Sequence, residues 1–516
     1  MRPEDIGTYY ESILEKEVRK EGGIYYTPPL IVDYMVANSL GELLKGKAPA
    51  KAAKIRIVDP ACGGGIFLLG AYQHLLDWHE KHLGKLTLTQ RRKILNDHIF
   101  GVDIDPLAVE ITKYCLSMKC LGGKDFSLDF AENIRCGNSL ISHSKVSGDR
   151  AFDWHKTFPH VFKQGGFDIV IGNPPWGAKY SDKQKTYFKE HYKSAKTVKY
   201  VDGTYYSSLD TFSLFIEQGF NMVKQNGRIM FIVPLSVIAG KNSSLHRLLL
   251  KNCETIDVSS YSDRPKQIFQ SGHRPVSIIG FTKTDTPCTK IFTTKLNRWY
   301  SDLTLQQLVG NLTFIESKKH YRPGRFARIG QEIESIILDK IYNRKNTPIK
   351  TLQKKKGKPL FWRNADGGYY SLVLPHTTRS KYEDSFLFDV KIVKVICAIL
   401  SSNLFFWHQK VYSDNYHLTK NEIESFPLPP LGKFTDEVIA EIESRYDDYV
   451  ADVERHVIVR STRAYSQADS IREYKLMKSR DYANKIDEII SPLYGLTDEE
   501  TEFIKNYELE FRMRGE

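Results

Sequence analysis

The chain has 516 residues, 41% hydrophobic and 26% charged, with a formal net charge of +12. That length exceeds one ordinary core and calls for two or three domains of globular composition, which excludes a disordered or fibrous chain. No apolar run approaches the roughly 20 residues that a spanning helix needs, so no membrane partner is expected, and the basic balance favours a polyanion.

Met1-Arg2-Pro3-Glu4-Asp5 lacks the charged and apolar regions of a secretory signal and reads as a cytoplasmic start. Seven cysteines without a CxxC pair read as reduced thiols. The run Asp77 to His82 lacks HExxH spacing and reads as a solvated helix end, so no metal is expected.

In chain order, residues 1–24 predict a helix that ends at Gly22-Gly23. A second helix runs from Leu30 to about Leu44, with Thr27 as N-cap and Pro28 as first residue. From Ile55 the pattern becomes strand, loop, helix, repeated: strands at 55–59, 99–103, 134–136, 167–172 and 228–233, with helices at 66–79, 106–118 and 209–225 and a late strand at 276–283. Such alternation predicts a mostly parallel, doubly wound α/β sheet. The polar, Lys- and Tyr-rich stretch 177–206 shows no clear period and reads as a long functional or mobile loop.

The resulting division is an N-terminal helical segment 1–50, a catalytic domain 51–290, a linker 291–320, a basic and aromatic domain 321–432 and a helical region 433–516. Lys354, Lys355, Lys356 and Lys358 are either contacts to a polyanion's phosphates or a solvated charged loop. Phe405, Phe406 and Trp407 read as core.

Chemistry concentrates at the strand ends, where open α/β sheets bind ligands. Asp59-Pro60-Ala61-Cys62-Gly63-Gly64-Gly65 lets a backbone approach a cofactor, although a plain strand-to-helix turn has the same composition. Asp103 can accept from both hydroxyls of a ribose, and Asp105 suits the helix N-cap better. Asn138 is either an acceptor for a cofactor amine or a turn residue. The sharpest signal is Asn173-Pro174-Pro175-Trp176. An aromatic amine is a poor nucleophile because its lone pair is delocalised. The Asn173 side-chain oxygen and the Pro174 carbonyl can take its two hydrogens and localise that pair. The prolines hold the carbonyl's direction, and Trp176 offers a stacking face.

These motifs resemble the TaqI-type, gamma-class DNA adenine-N6 methyltransferases and the methylase and recognition parts of type II and IIG restriction-modification enzymes. Tyr26-Thr27-Pro28, Asp59 to Gly63, Asp103 with Ile104, and Asn173 to Trp176 match the family's ordered motifs. Ile268-Phe269 through Phe281 matches a later strand whose aromatic, Phe281, packs on the extruded base. Asn138 departs from the usual Asp. The resemblance implies a Rossmann-like class I fold with a C-terminal α+β target-recognition domain. It also implies S-adenosyl-L-methionine held by Tyr26, Thr27, Asp59, Pro60, Ala61, Cys62, Gly63, Asp103, Ile104 and Asn138, and base flipping from double-stranded DNA by a monomer. With about 24 residues ahead of Tyr25, methylation without cleavage is expected, with a separate restriction endonuclease or defence-system protein as a partner, in a prokaryotic cytoplasm on the nucleoid. The alternatives are an RNA or protein-glutamine N-methyltransferase, or an inactive DNA-specificity subunit.

Overall fold

The computed structural model describes residues 3–7, 27–122, 131–199, 205–206, 209–240, 242–269, 274–364, 372–378, 380, 382–461 and 470–514. Tyr26, most of the first expected helix and the Tyr369-Tyr370 pair lie outside them. The chain divides into two compact units, Met1–Phe326 and Ala327–Glu516.

The first unit is built on a sheet of nine strands: β1 (Ile57–Asp59), β2 (Ile99–Asp103), β3 (Ile134–Cys136), β4 (Phe167–Gly172), β5 (Val223–Pro234), β6 (Thr255–Tyr261), β7 (Val276–Thr282), β8 (Lys290–Asn297) and β9 (Ile315–Glu316). Their order is β9-β8-β6-β7-β5-β4-β1-β2-β3. β1, β2, β3, β4 and β5 are mutually parallel, and β7 runs antiparallel between β5 and β6. From β1 the chain winds through β2 and β3 to one side, then returns to place β4 on the other side of β1, with Val58 beside Val170. The β1–β4 gap is therefore the topological switch point, where ligands of such sheets sit. The fold class is the α/β, Rossmann-like one expected.

The strands are legible because both faces are covered. β4 is buried at every position, as a two-sided parallel strand requires. The covering helices include α1 (Pro29–Val36), α2 (Ile66–Leu83), α3 (Leu88–His98), α4 (Pro106–Leu121), α5 (Asp182–His191), α6 (Thr211–Met222) and α7 (Ser243–Asn252). Asp105 caps α4 by accepting from Leu107 N at 2.9 Å, as expected. α1 begins at Pro29, not Leu30, and Thr27 supplies no cap; Pro28 stands at the N-cap. α2 continues past the expected end to Leu83, so His79 is buried beside Trp78 and His98 rather than solvated. None of the seven cysteines is in a disulfide.

Three expectations are corrected. The 177–206 stretch contains α5, started by Ser181 and Gln184 in a reciprocal capping box. Its buried face is short, Tyr187 and Phe188, which hid the helical period. The 291–320 linker is instead β8, a helix over Asp302–Gly310 and β9, all within the first unit. β8 alternates polar and apolar residues because it lies near the sheet's edge, and its alternation is broken by a bulge between Thr293 and Leu296.

Phe281 is the third. It is fully buried in β7, opposite Ile229 and Ile256. Since β7 runs antiparallel, its first residue, Val276, lies at the carboxyl rim beside Pro234. Phe281 is five residues further, about 17 Å towards the opposite rim. It is a core residue. Phe281→Ala should cost about 3–5 kcal/mol in chemical denaturation, with the turnover of the folded fraction unchanged.

The second unit contains a three-stranded antiparallel sheet of Lys358–Arg363, Val373–Leu374 and Glu383–Phe388, against which the helix Val393–Leu400 packs, and helices at Asn403–Tyr412, Asp436–Arg455, Arg480–Tyr494 and Asp498–Asn506 that pack with that helix and with one another. Phe405, Phe406 and Trp407 are core, as expected. Buried Asp487 accepts from the backbone amides of Asn403 and Leu404 at 3.1 and 3.0 Å, which caps the Asn403–Tyr412 helix from a distant part of the chain.

Candidate active site at the carboxyl rim

The loops that leave β1, β2, β3 and β4 meet at one rim and are stitched to one another. Asp59, at the end of β1, is buried and accepts from Ala61 N at 3.0 Å, which folds the chain back into the glycine turn. Gly65 then adopts φ +84 at the mouth of α2, where a Cβ would lie 2.8 Å from Thr112 Cγ2. Only glycine meets both demands without strain. Thr112 also donates to Gly63 O at 2.7 Å, which locks the turn onto α4.

Asp103 closes the same turn from β2. Its Oδ2 accepts from Gly63 N and its Oδ1 from Asp105 N, both at 2.9 Å. Burial raises its pKa, against the lowering by these amides. Each oxygen keeps a second lone pair, and the neighbouring Ile104 is 54% exposed, an apolar surface at a polar rim. Ser139, after β3, donates to Pro60 O at 2.5 Å and so ties the third loop to the first.

Gly172 ends β4 against β1. A Cβ there would stand 2.5 Å from Asp59 Oδ1, so the close approach of the two strand ends requires its absence. The next residue, Asn173, donates from Nδ2 to Thr27 Oγ1 at 3.2 Å. That bond fixes the rotation of the carboxamide and sets Oδ1 on its other arm. Thr27, expected as a helix cap, is buried and serves Asn173 instead. The tetrapeptide and the glycine turn thus occupy adjacent strand ends.

Other expected site residues have different surroundings. Cys62 is buried and turned inward: its Sγ would lie 3.2 Å from a Cβ at Gly101, and burial raises its pKa. Asn138 is a turn residue, with Oδ1 accepting from Leu140 N at 3.1 Å and Nδ2 donating to Ser147 Oγ at 3.2 Å. Pro174 is buried. Trp176 is 4% exposed and packs edge-to-face on Phe269, with ring centroids 4.9 Å apart, so its face is covered rather than open.

Phe269 is not expected beside Trp176 from the sequence, and the structure places it there. It lies between β6 and β7, whose facing ends, Tyr261 and Val276, are at the carboxyl rim. The signal was available in the direction of β7, which places the residues before it, not those late in it, beside Trp176.

In the second unit Lys354, Lys355, Lys356 and Lys358 are all exposed, at and before the first strand of its small sheet. Among the described residues no cluster of three His, Cys, Asp or Glu is arranged to hold a metal, and no helix is long and apolar enough to cross a membrane. A cavity of about 550 Å³ among Tyr34, Asn38, Arg228, Asp257 and Phe292 opens on the sheet away from the rim. Its charges are matched internally, Arg228 to Asp257 at 2.8 Å. The acceptors suited to chemistry are at the rim.

Residues 97–269 match the family model described as Eco57I restriction-modification methylase. The type II restriction enzyme and methyltransferase RM.Eco57I of Escherichia coli is 30% identical over 285 residues, 49% of this chain and 27% of that protein. The adenine-specific methyltransferase PglX of Streptomyces coelicolor is 24% identical over 195 residues, 33% of this chain and 16% of that one. The chain therefore spans between about a sixth and a quarter of the length of these relatives. The solved structure of the Type IIL restriction-modification enzyme MmeI in complex with DNA resembles the chain with a TM-score of 0.55 at 15% identity, covering 100% of this chain and 82% of that one, a likeness of fold. β2 to β6, the Asn173 loop and Phe269 lie inside the span that matches the Eco57I restriction-modification methylase family model.

Proposed function

We propose that the chain is a DNA methyltransferase that transfers a methyl group from S-adenosyl-L-methionine to N6 of an adenine flipped from double-stranded DNA, within a prokaryotic restriction-modification or related defence system. The observation that carries this reading is the adjacency of Asn173 to the Asp59–Gly65 turn across the β1–β4 switch point.

The donor set suits the cofactor. Asp103 presents a carboxylate already steadied by two amides, the turn opens towards the start of α2, and Ile104 offers an apolar surface for a ring. When bound, the cofactor supplies an electrophilic sulfonium methyl group. Asn173 Oδ1 and Pro174 O would accept the two hydrogens of the adenine amine and draw it from planarity, which directs its lone pair at that carbon. Thr27 holds Asn173 in place for this, a positioning role. Trp176, its face covered by Phe269, would back the base site from behind rather than stack on the base.

Extruding a paired base costs a few kcal/mol, which such contacts must offset. Phe269→Ala should therefore weaken productive DNA binding roughly tenfold, by removing the edge that supports Trp176, with cofactor affinity retained. Steady-state kinetics and calorimetry would check this; an unchanged KM for DNA would remove Phe269 from the base site. The exposed Lys354, Lys355, Lys356 and Lys358 support a phosphate-binding role for the second unit, whose target sequence, and whose partner nuclease or defence protein, would be found by methylome sequencing and co-purification. A DNA substrate would place the protein with the nucleoid in the cytoplasm.

The reading is tested by offering labelled cofactor with duplex DNA, structured RNA and a glutamine-bearing protein substrate. Label in DNA alone is expected. Label only in RNA or protein would favour the other amine acceptors.

A further inference from the structure

We infer that the lysine-rich arm following the Asn173–Trp176 loop, residues 179–196, clamps the DNA backbone beside the extruded base; this rests on the DNA reading above. Six lysines stand in this stretch (179, 183, 185, 189, 193 and 196) against two carboxylates, Asp182 and Glu190. Lys185 pairs with Asp182 at 2.9 Å. Lys183, Lys189, Lys193 and Lys196 are exposed and, among the described residues, have no carboxylate partner.

Charge alone would describe a solvated helix face. What distinguishes this arm is how firmly it is held at the rim. At its start, Ala178 N and Tyr180 Oη both donate to Thr211 Oγ1 at 3.0 Å. In its middle, Tyr187 and Phe188 pack with Leu140, Ile141, Leu214 and Phe215 in a satellite core. At its end, Tyr192 Oη donates to Leu140 O at 2.8 Å, and the amides of Lys193 and Ser194 donate to the Glu217 carboxylate at 2.8 and 2.7 Å. Glu217 is 3% exposed, and a buried carboxylate is retained only where it is well satisfied. The arm is thus anchored to α6 and to the loop that binds Pro60, while Lys183, Lys189, Lys193 and Lys196 are exposed.

The dimensions suit a duplex. Lys183 and Lys189 are six residues apart on α5, about 9 Å along its axis and about 120° around it, so they flank its exposed side and can reach phosphates on either side of it. Lys179 is only three residues beyond Trp176. A strand with one nucleotide drawn into the Asn173 site must pass across this rim, and a fixed row of cations there holds its flanking phosphates.

The test uses the 516-residue chain with Lys183, Lys189 and Lys193 replaced together by Gln, and in a second variant by Glu. Affinity for a duplex oligonucleotide is measured by anisotropy from about 50 to 200 mM salt. The Gln variant is expected to bind about a thousandfold more weakly at the low end, a deficit that shrinks as salt rises. Its log–log salt slope should fall by about 2–3, at nearly one for each phosphate no longer neutralised. The Glu variant should bind more weakly still. Cofactor affinity and the rate at saturating DNA should match the parent. A parental slope in both variants would overturn the clamp while leaving the DNA reading intact. A parent chain without salt-dependent duplex affinity would overturn both. A slowed rate at saturating DNA with the slope unchanged would move the arm into the chemistry and also overturn the clamp.

Discussion

Replacing Asn173 with Ala is expected to reduce turnover at least about a thousandfold, roughly 4 kcal/mol of barrier, while duplex and cofactor affinities change little. The reason is specific to what the residue does. An exocyclic amine conjugated to a ring attacks poorly unless its hydrogens are held out of plane, and in the proposed reaction Asn173 Oδ1 would supply one of the two acceptors, with Thr27 holding the carboxamide. Ground-state binding needs neither acceptor to be strong; the transition state, with positive charge growing on nitrogen, needs both. A loss confined to the rate is therefore the signature. Equal losses in DNA affinity and rate would assign Asn173 to binding instead.

Asp103→Ala should raise the dissociation constant for S-adenosyl-L-methionine about a hundredfold, near 3 kcal/mol. Two effects combine. The carboxylate that would receive the ribose hydroxyls is gone, and Gly63 N and Asp105 N lose their acceptor, so the turn itself loosens. Asp103→Asn keeps the shape but turns one amine towards a backbone donor, and an intermediate loss follows. pH gives an independent check. Burial holds the Asp103 pKa above the ordinary carboxylate value, so the charged acceptor is lost as pH falls through that raised value. Cofactor affinity should then fall on acidification earlier than an exposed aspartate would dictate, and the dependence should vanish in Asp103→Ala. Titration calorimetry across pH would show it; unaltered affinity in Asp103→Ala would remove this residue from the cofactor site.

Much of the fold is readable from the chain because the parallel strands are short apolar runs, each followed by a chemically distinctive loop. Asp59, Gly65, Asp103 and Asn173 all fall where strand ends are expected. The misplaced residues have physical causes. Phe281 was assigned by its place in a motif, but antiparallel β7 carries it away from the rim and brings Phe269 to it. Asn138 and Cys62 have the right address, yet one is held in a turn and the other is buried under the loop, surroundings that no linear pattern encodes. Helix α5 was hidden by its lysines, although the Ser181–Gln184 cap was present in the sequence. Thr27 was read as a local cap because its partner, Asn173, is distant in sequence and close only once β4 lies beside β1.

If one rim brings an amine acceptor pair to a methyl donor, the product itself is the most direct evidence. The measurement is single-turnover incubation of the chain with duplex DNA and methyl-labelled S-adenosyl-L-methionine, followed by nucleoside analysis of the DNA. Label is predicted in N6-methyl-2′-deoxyadenosine from the parent chain, and none from Asn173→Ala. Label in methylated cytosine, or undiminished adenine labelling by Asn173→Ala, would contradict it.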